Sequence, residues 1–184
     1  MQKPLFFLLA VLAMDDLVID HASAQQFMTR EGNVHFFSST PVEDIEATNV
    51  QTTALLTSTG DFAFRVPILG FRFDKALMEE HFNENYMEST TFPNASFEGR
   101  IANWNDGVRD GAWHVVSAEG GFVIHGVEQQ RAIPAEVRWN GTAWEVKSTF
   151  QVAPADHDIA IPKMVENKIA KSIEVTVSAV LNPR

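Results

Sequence analysis

Three stretches, taken in order, decide the fold: His81-Phe82-Asn83-Glu84-Asn85-Tyr86, then Phe92-Pro93-Asn94-Ala95-Ser96-Phe97-Glu98-Gly99, then Gly121-Phe122-Val123-Ile124-His125-Gly126. The first reads as the end of a helix. The second is the Pro-marked start of an alternating strand, and the third is a glycine-bounded apolar strand. On both sides the chain continues in the same two-residue rhythm.

Side chains on a strand repeat every two residues, so each alternating run defines one inward face. Val34 and Phe36 begin the pattern. Phe62, Phe64, Val66 and Ile68 share a face, as do Ala95, Phe97, Gly99 and Ile101. Ile133, Ala135, Val137 and Trp139 form another, followed by Trp144, Val146, Ser148, Phe150 and Val152, and by Ile173, Val175, Val177, Ala179 and Leu181. Asn140-Gly141 between two such runs predicts an antiparallel hairpin. Gly120-Gly121 predicts a bulge or tight bend in a strand running from Trp113 to Val127.

Two segments break the rhythm. Asp74 to Met87 predicts a helix capped by Asp74, with Leu77, Met78, His81 and Phe82 on one stripe. Lys163 to Lys171 predicts a shorter helix starting at Pro162. The remainder is strand, so the class is all-β, and one long antiparallel sheet either closes into a barrel or splits into a sandwich. Periodicity alone leaves open whether the aromatic inner faces pack a filled core or line a hollow one.

Composition narrows the setting. The 184 residues suit one domain with a real core, 45% hydrophobic and 21% charged. Lys3 precedes an apolar run, Leu5 to Met14, that is too short to span a bilayer. Ala22-Ser23-Ala24 then supplies a small-x-small cleavage pattern, so residues 1–24 are expected to be a cleaved signal peptide and 25–184 the mature domain, periplasmic or secreted. Asp15, Asp16 and Asp20 make this leader longer and more acidic than the ordinary layout, and a buried apolar helix is the competing reading. With no cysteine, disulfides and a lipid-modified cysteine anchor are excluded. The net charge is −10, about −8 once one Lys and three Asp leave with the leader. That balance argues against nucleic acid as a partner, and no later segment predicts stable membrane insertion.

The ordered pieces resemble the YceI family over about Phe27 to Leu181. Gly32-Asn33-Val34-His35-Phe36-Phe37-Ser38 resembles its first strand, and Phe73 to Ser89 resembles its helical excursion leading to Phe92-Pro93-x-Ala95-x-Phe97. Gly121 to Val127 resembles its Gly-x-Leu-Thr-Ile-His-Gly-Val signature, with Phe122 and Val123 replacing Leu-Thr. Glu128-Gln129-Gln130 and Asp156-His157-Asp158 also depart from the family pattern. The resemblance implies an extended eight-stranded antiparallel barrel of lipocalin-like form, with a helix across one end and a short second helix. It also implies a polyisoprenoid or similar amphiphile as ligand, with no catalytic residue and no cofactor beyond that bound lipid.

Parity then nominates a lumen wall: Phe62, Phe64, Val66, Ile68, Phe97, Ile101, Phe122, Ile124, Val137, Trp139, Phe150, Val175 and Val177. Arg72 and Tyr86, polar tips beside an apolar face, are candidates for a ligand headgroup. Two rival readings stand beside the carrier. One is a metal-assisted hydrolase using His81, His125 and His157, although no two histidines share a local metal-binding spacing. The other is a filled barrel that presents its loops to a protein partner. No nucleophile elbow or phosphate loop is present. Ligand identity and the choice between monomer and homodimer stay open.

Overall fold

The structure, a computed structural model, describes residues 24–105 and 107–184. The expected leader, apart from Ala24, lies outside the described residues. Eight strands follow one another: β1 (Gln26–Ser39), β2 (Asp44–Thr57), β3 (Asp61–Pro67), β4 (Asn94–Ile101), β5 (His114–Ile124), β6 (Val127–Trp139), β7 (Trp144–Val152) and β8 (Ile173–Pro183). Each pairs antiparallel with the next, and β8 returns to β1 through Val34↔Val177 and Phe36↔Val175. The sheet is therefore a closed barrel in sequential order, which resolves the choice between barrel and sandwich.

The Asn140-Gly141 hairpin forms as expected. Trp139 pairs with Trp144 across a four-residue loop, Gly141 takes φ +105°, and Asn140 Oδ1 accepts the Thr142 and Ala143 N–H groups. The strand expected through Val127 instead stops at Ile124. His125 (φ 52°) and Gly126 (φ 75°) make a two-residue turn of the type whose twist matches adjoining strands, and β6 begins at Val127. Gly120 does not open a bulge, because β5 pairs with both neighbours without a break. It faces Gly99 across the ladder, and a Cβ on either would overlap a backbone carbonyl of the opposite strand. The paired glycines let the two backbones approach closely.

The helix, α1 (Ala76–His81), is shorter than expected and continues into a wider π turn over Phe82–Tyr86. Asp74 does not cap it. Lys75 occupies the capping position without a side-chain bond, while Glu79 reaches back to the Phe73 N–H at 3.3 Å. The short second helix takes the form of successive turns over 163–168, held by Val165 N–H to the Pro162 carbonyl and Lys168 N–H to the Val165 carbonyl. Among the described residues no helix is long and apolar enough to cross a membrane.

These excursions all cover one end of the barrel. The other end is closed by aromatic packing. Trp144 and Phe27 are fully buried; Trp144 lies 4.9 Å from Trp104 and 5.5 Å from Trp139, centroid to centroid. The Trp104 indole donates to the Ser58 carbonyl at 3.1 Å, and the Arg109 guanidinium sits 4.3 Å over the Trp139 ring.

Candidate functional site: an apolar lumen closed at one end

Between this tryptophan floor and the helix lies a cavity of about 580 Å³, within the range of small-molecule sites. It runs from Phe73, Leu77 and Val165 at the open end to Leu56, Val137 and Leu181 near the floor. Ile173 and Leu181 on β8 both line it, a distance of about 26 Å along the strand at a rise of ~3.3 Å per residue. The barrel is hollow.

Parity placed most of the wall. Phe62, Phe64, Val66, Ile68, Phe97, Ile101, Phe122, Ile124, Val137, Phe150, Val175 and Val177 all line the cavity. Trp139 does not: it shares a face with Val137 but lies one step too far along β6, inside the floor. Ile68 reaches the lumen from a 3-10 turn after Pro67 rather than from β3. A belt of rings crosses mid-barrel, with Phe62–Phe97 at 4.8 Å, Phe97–Phe122 at 5.7 Å and Phe122–Phe150 at 5.7 Å.

Periodicity on single strands missed the second aromatic group, where the helical excursion meets β1. Phe82 stacks on Phe36 at 5.5 Å, with Phe71 and Phe73 packed around the pair. The clue available in the sequence was the density of phenylalanine between Phe71 and Phe82, but its partner Phe36 lies far away in the chain. Tyr86 lines the cavity here. Arg72 does not. Its Nη1 donates to the Leu69 and Phe71 carbonyls at 2.9 and 3.0 Å and to Glu79 at 3.0 Å, so its guanidinium is engaged on the outer side of the loop.

The lumen is almost free of polar groups. Ser148 donates to the Pro134 carbonyl at 2.6 Å, and Ser38 accepts the Ala170 N–H at 2.9 Å. Charged side chains line the cavity only at its mouth, where Lys75 Nζ lies 3.2 Å and Lys168 Nζ 3.8 Å from the Glu43 carboxylate.

The three histidines of the metal hypothesis do not assemble. His81 borders the mouth. His125 Nε2 lies 2.8 Å from Glu88 Oε2, and its Nδ1 lies 3.2 Å from the His157 carbonyl. His157 is wholly buried, with Nδ1 3.3 Å from the Val127 carbonyl and Nε2 without a hydrogen-bond partner among the described residues. Among the described residues no three His, Asp or Glu side chains converge to hold a metal.

Burial pushes the His157 imidazole below its ordinary value of 6.5, against the opposing pull of the Val127 carbonyl. A group neutral in the fold but protonated in the unfolded chain makes stability fall with pH. The loss begins as pH drops below 6.5 and levels off below the folded value. Urea unfolding at pH 8, 7, 6 and 5 should therefore show a smaller decline in His157→Phe than in the wild-type protein. Parallel curves would exclude His157 as a source of the decline.

With the geometry defined, comparison with known proteins places the molecule. A model of the YceI-like domain matches residues 17–181. The chain belongs to the YceI-like family. Solved structures similar to this YceI-like domain include a polyisoprenoid binding domain from Saccharophagus degradans implicated in plant cell wall breakdown, with TM-score 0.76 and 12% identity over 88% of this chain and 100% of that one. Burkholderia cenocepacia BcnA aligns with TM-score 0.68 and 14% identity over 82% and 95% of the two chains. The Campylobacter jejuni YCEI protein aligns with TM-score 0.56 and 10% identity over 99% and 94%. At such identities the likeness concerns the fold. No curated protein sequence matches this YceI-like chain.

Proposed function

We propose that this YceI-like domain is an exported carrier or sequestering protein that holds one long apolar amphiphile in its lumen and performs no chemistry on it. The ligand class is a polyisoprenoid, an isoprenoid quinone or a fatty-acid-like lipid. The observation that carries the reading is the continuous apolar cavity reaching from the helix to the tryptophan floor. Burying a dozen methylene-like carbons there contributes on the order of 10 kcal/mol before ordering costs, enough for non-covalent retention. The inner hydroxyls of Ser38 and Ser148 are already bonded to backbone, as suits a passive container. A solved protein of the same fold is described as polyisoprenoid binding, which supports the same ligand class. Export is consistent with the geometry, since a cut after Ala24 leaves one residue, Gln25, ahead of β1 and every ladder intact.

Native mass spectrometry of the protein from Gln25, purified without detergent, tests the reading. The expected spectrum carries a discrete apolar adduct that organic extraction removes. A bare mass, combined with no uptake of added farnesol or isoprenoid quinone, would overturn it.

A further inference from the structure

At the mouth a single carboxylate ties together three segments that are distant in sequence. Glu43 sits in the turn between β1 and β2, where its N–H and carbonyl both bond to the Thr40 hydroxyl. Its Oε1 accepts from Lys75, at the start of α1, and its Oε2 faces Lys168 on the turns before β8. All three side chains line the cavity. The carboxylate is the less exposed group at 23%, while Lys75 and Lys168 are 67% and 47% exposed. Two cations therefore share one anion, and both keep donors free to turn toward solvent and the opening, since an ammonium has three.

Among the neighbours, Arg72 and Glu79 neutralise each other, while Asp44 and Glu46 keep their charge beside Ser39 and His35 on the outer side of the hairpin. Among the described charged side chains that line the lumen, the two lysines outnumber the one carboxylate, on a chain of net charge −10. Deeper in, the lumen offers no charged group, so a bound amphiphile must enter tail first and leave its head beside these lysines.

Resting on the carrier reading, we infer that the ligand is an anionic amphiphile whose phosphate or carboxylate head is held between Lys75 and Lys168. Glu43 spaces the two ammonium groups and yields part of its hold on them when the head arrives. Head and tail are thus recognised separately, the tail by area and the head by charge-assisted hydrogen bonds.

Farnesyl monophosphate and farnesol carry the same tail and differ only in the head, so calorimetric titration of both into the protein from Gln25 tests the inference. The wild-type protein should bind the phosphate about tenfold more tightly, and the ratio should shrink with added salt. In the Lys75→Gln/Lys168→Gln variant the ratio should fall to about one, with far-UV circular dichroism reporting that the variant is folded. Lys147→Gln, on the outer wall beside Glu136, should keep the wild-type ratio. Equal affinities in the wild type, or a preference that survives the double substitution, would overturn the headgroup site while leaving the carrier intact. Inorganic phosphate binding alone, with the same lysine dependence, would show a site for free anions and overturn the lipid assignment. Failure of both farnesyl ligands to bind would overturn the carrier and the headgroup site together.

Discussion

Val175→Trp is expected to weaken binding of a farnesol-length ligand by at least about 100-fold while leaving the barrel folded, since direct overlap with the tail costs several kcal/mol. Val175 pairs with Phe36 on one side and Phe150 on the other, and it lines the lumen beside the mid-barrel rings. An indole there grows into void rather than into packed side chains, so the usual penalty for enlarging a core residue is largely avoided. The matching control is Val180→Trp on the same strand, where the side chain is 48% exposed and points outward. It should bind like the wild-type protein. Calorimetric titration measures both, with far-UV circular dichroism to confirm the sheet. A folded Val175→Trp protein that binds normally would place the ligand somewhere other than the lumen.

The largest loss of stability is expected at the floor. Trp144 is 1% exposed and touches Trp104 and Trp139, with Phe27 in the same cluster. Trp144→Ala should cost about 3–5 kcal/mol, the range for removing a large buried aromatic ring. Its indole N–H is buried without a hydrogen-bond partner among the described residues. Trp144→Phe keeps a ring and removes that orphan donor, so it should cost much less. Urea denaturation of the three proteins measures the difference. If alanine costs no more than phenylalanine, the floor is not held by ring packing. Neither floor substitution touches Lys75 or Lys168, so the ratio between the two farnesyl ligands should persist in whatever fraction stays folded.

Much of the barrel was legible because most strands keep strict parity, and Phe62, Phe97, Phe122 and Phe150 announce one inner surface. The first two strands hide theirs. On β2 the buried positions are Ala47 and Asn49, then Thr52, Ala54 and Leu56, so the inward parity inverts at Val50-Gln51. The cause is the register shift between Gly32 and Val34 on β1. There Asn49 turns its side chain onto the Pro67 carbonyl at 2.6 Å and accepts the Gln51 N–H. Period-two reading fails across such a bulge, because the extra residue rotates everything beyond it.

Trp139 shows a different limit: parity reports which face a side chain takes, not its height along the barrel. Arg72 shows a third, since a polar tip beside an apolar loop can as well close that loop's own carbonyls. Glu43, Lys75 and Lys168 come from a hairpin turn, a helix start and a connecting turn, and no local pattern links them. The eight-strand closure came from the family resemblance carried by the order of motifs, from Gly32 to Ser38 on the first strand to the alternating valines of the last, rather than from any one of them.

A carrier must also survive empty. A strand with unpaired N–H and C=O groups along its side is a template on which other copies can stack. Here the β1–β8 ladder leaves neither of those strands as a terminus of the sheet, so closure removes the two outer edges that an open eight-stranded sheet would present. The phenylalanines of the lumen wall face inward. The empty barrel therefore carries less of the aggregation hazard than an open sheet of equal size would.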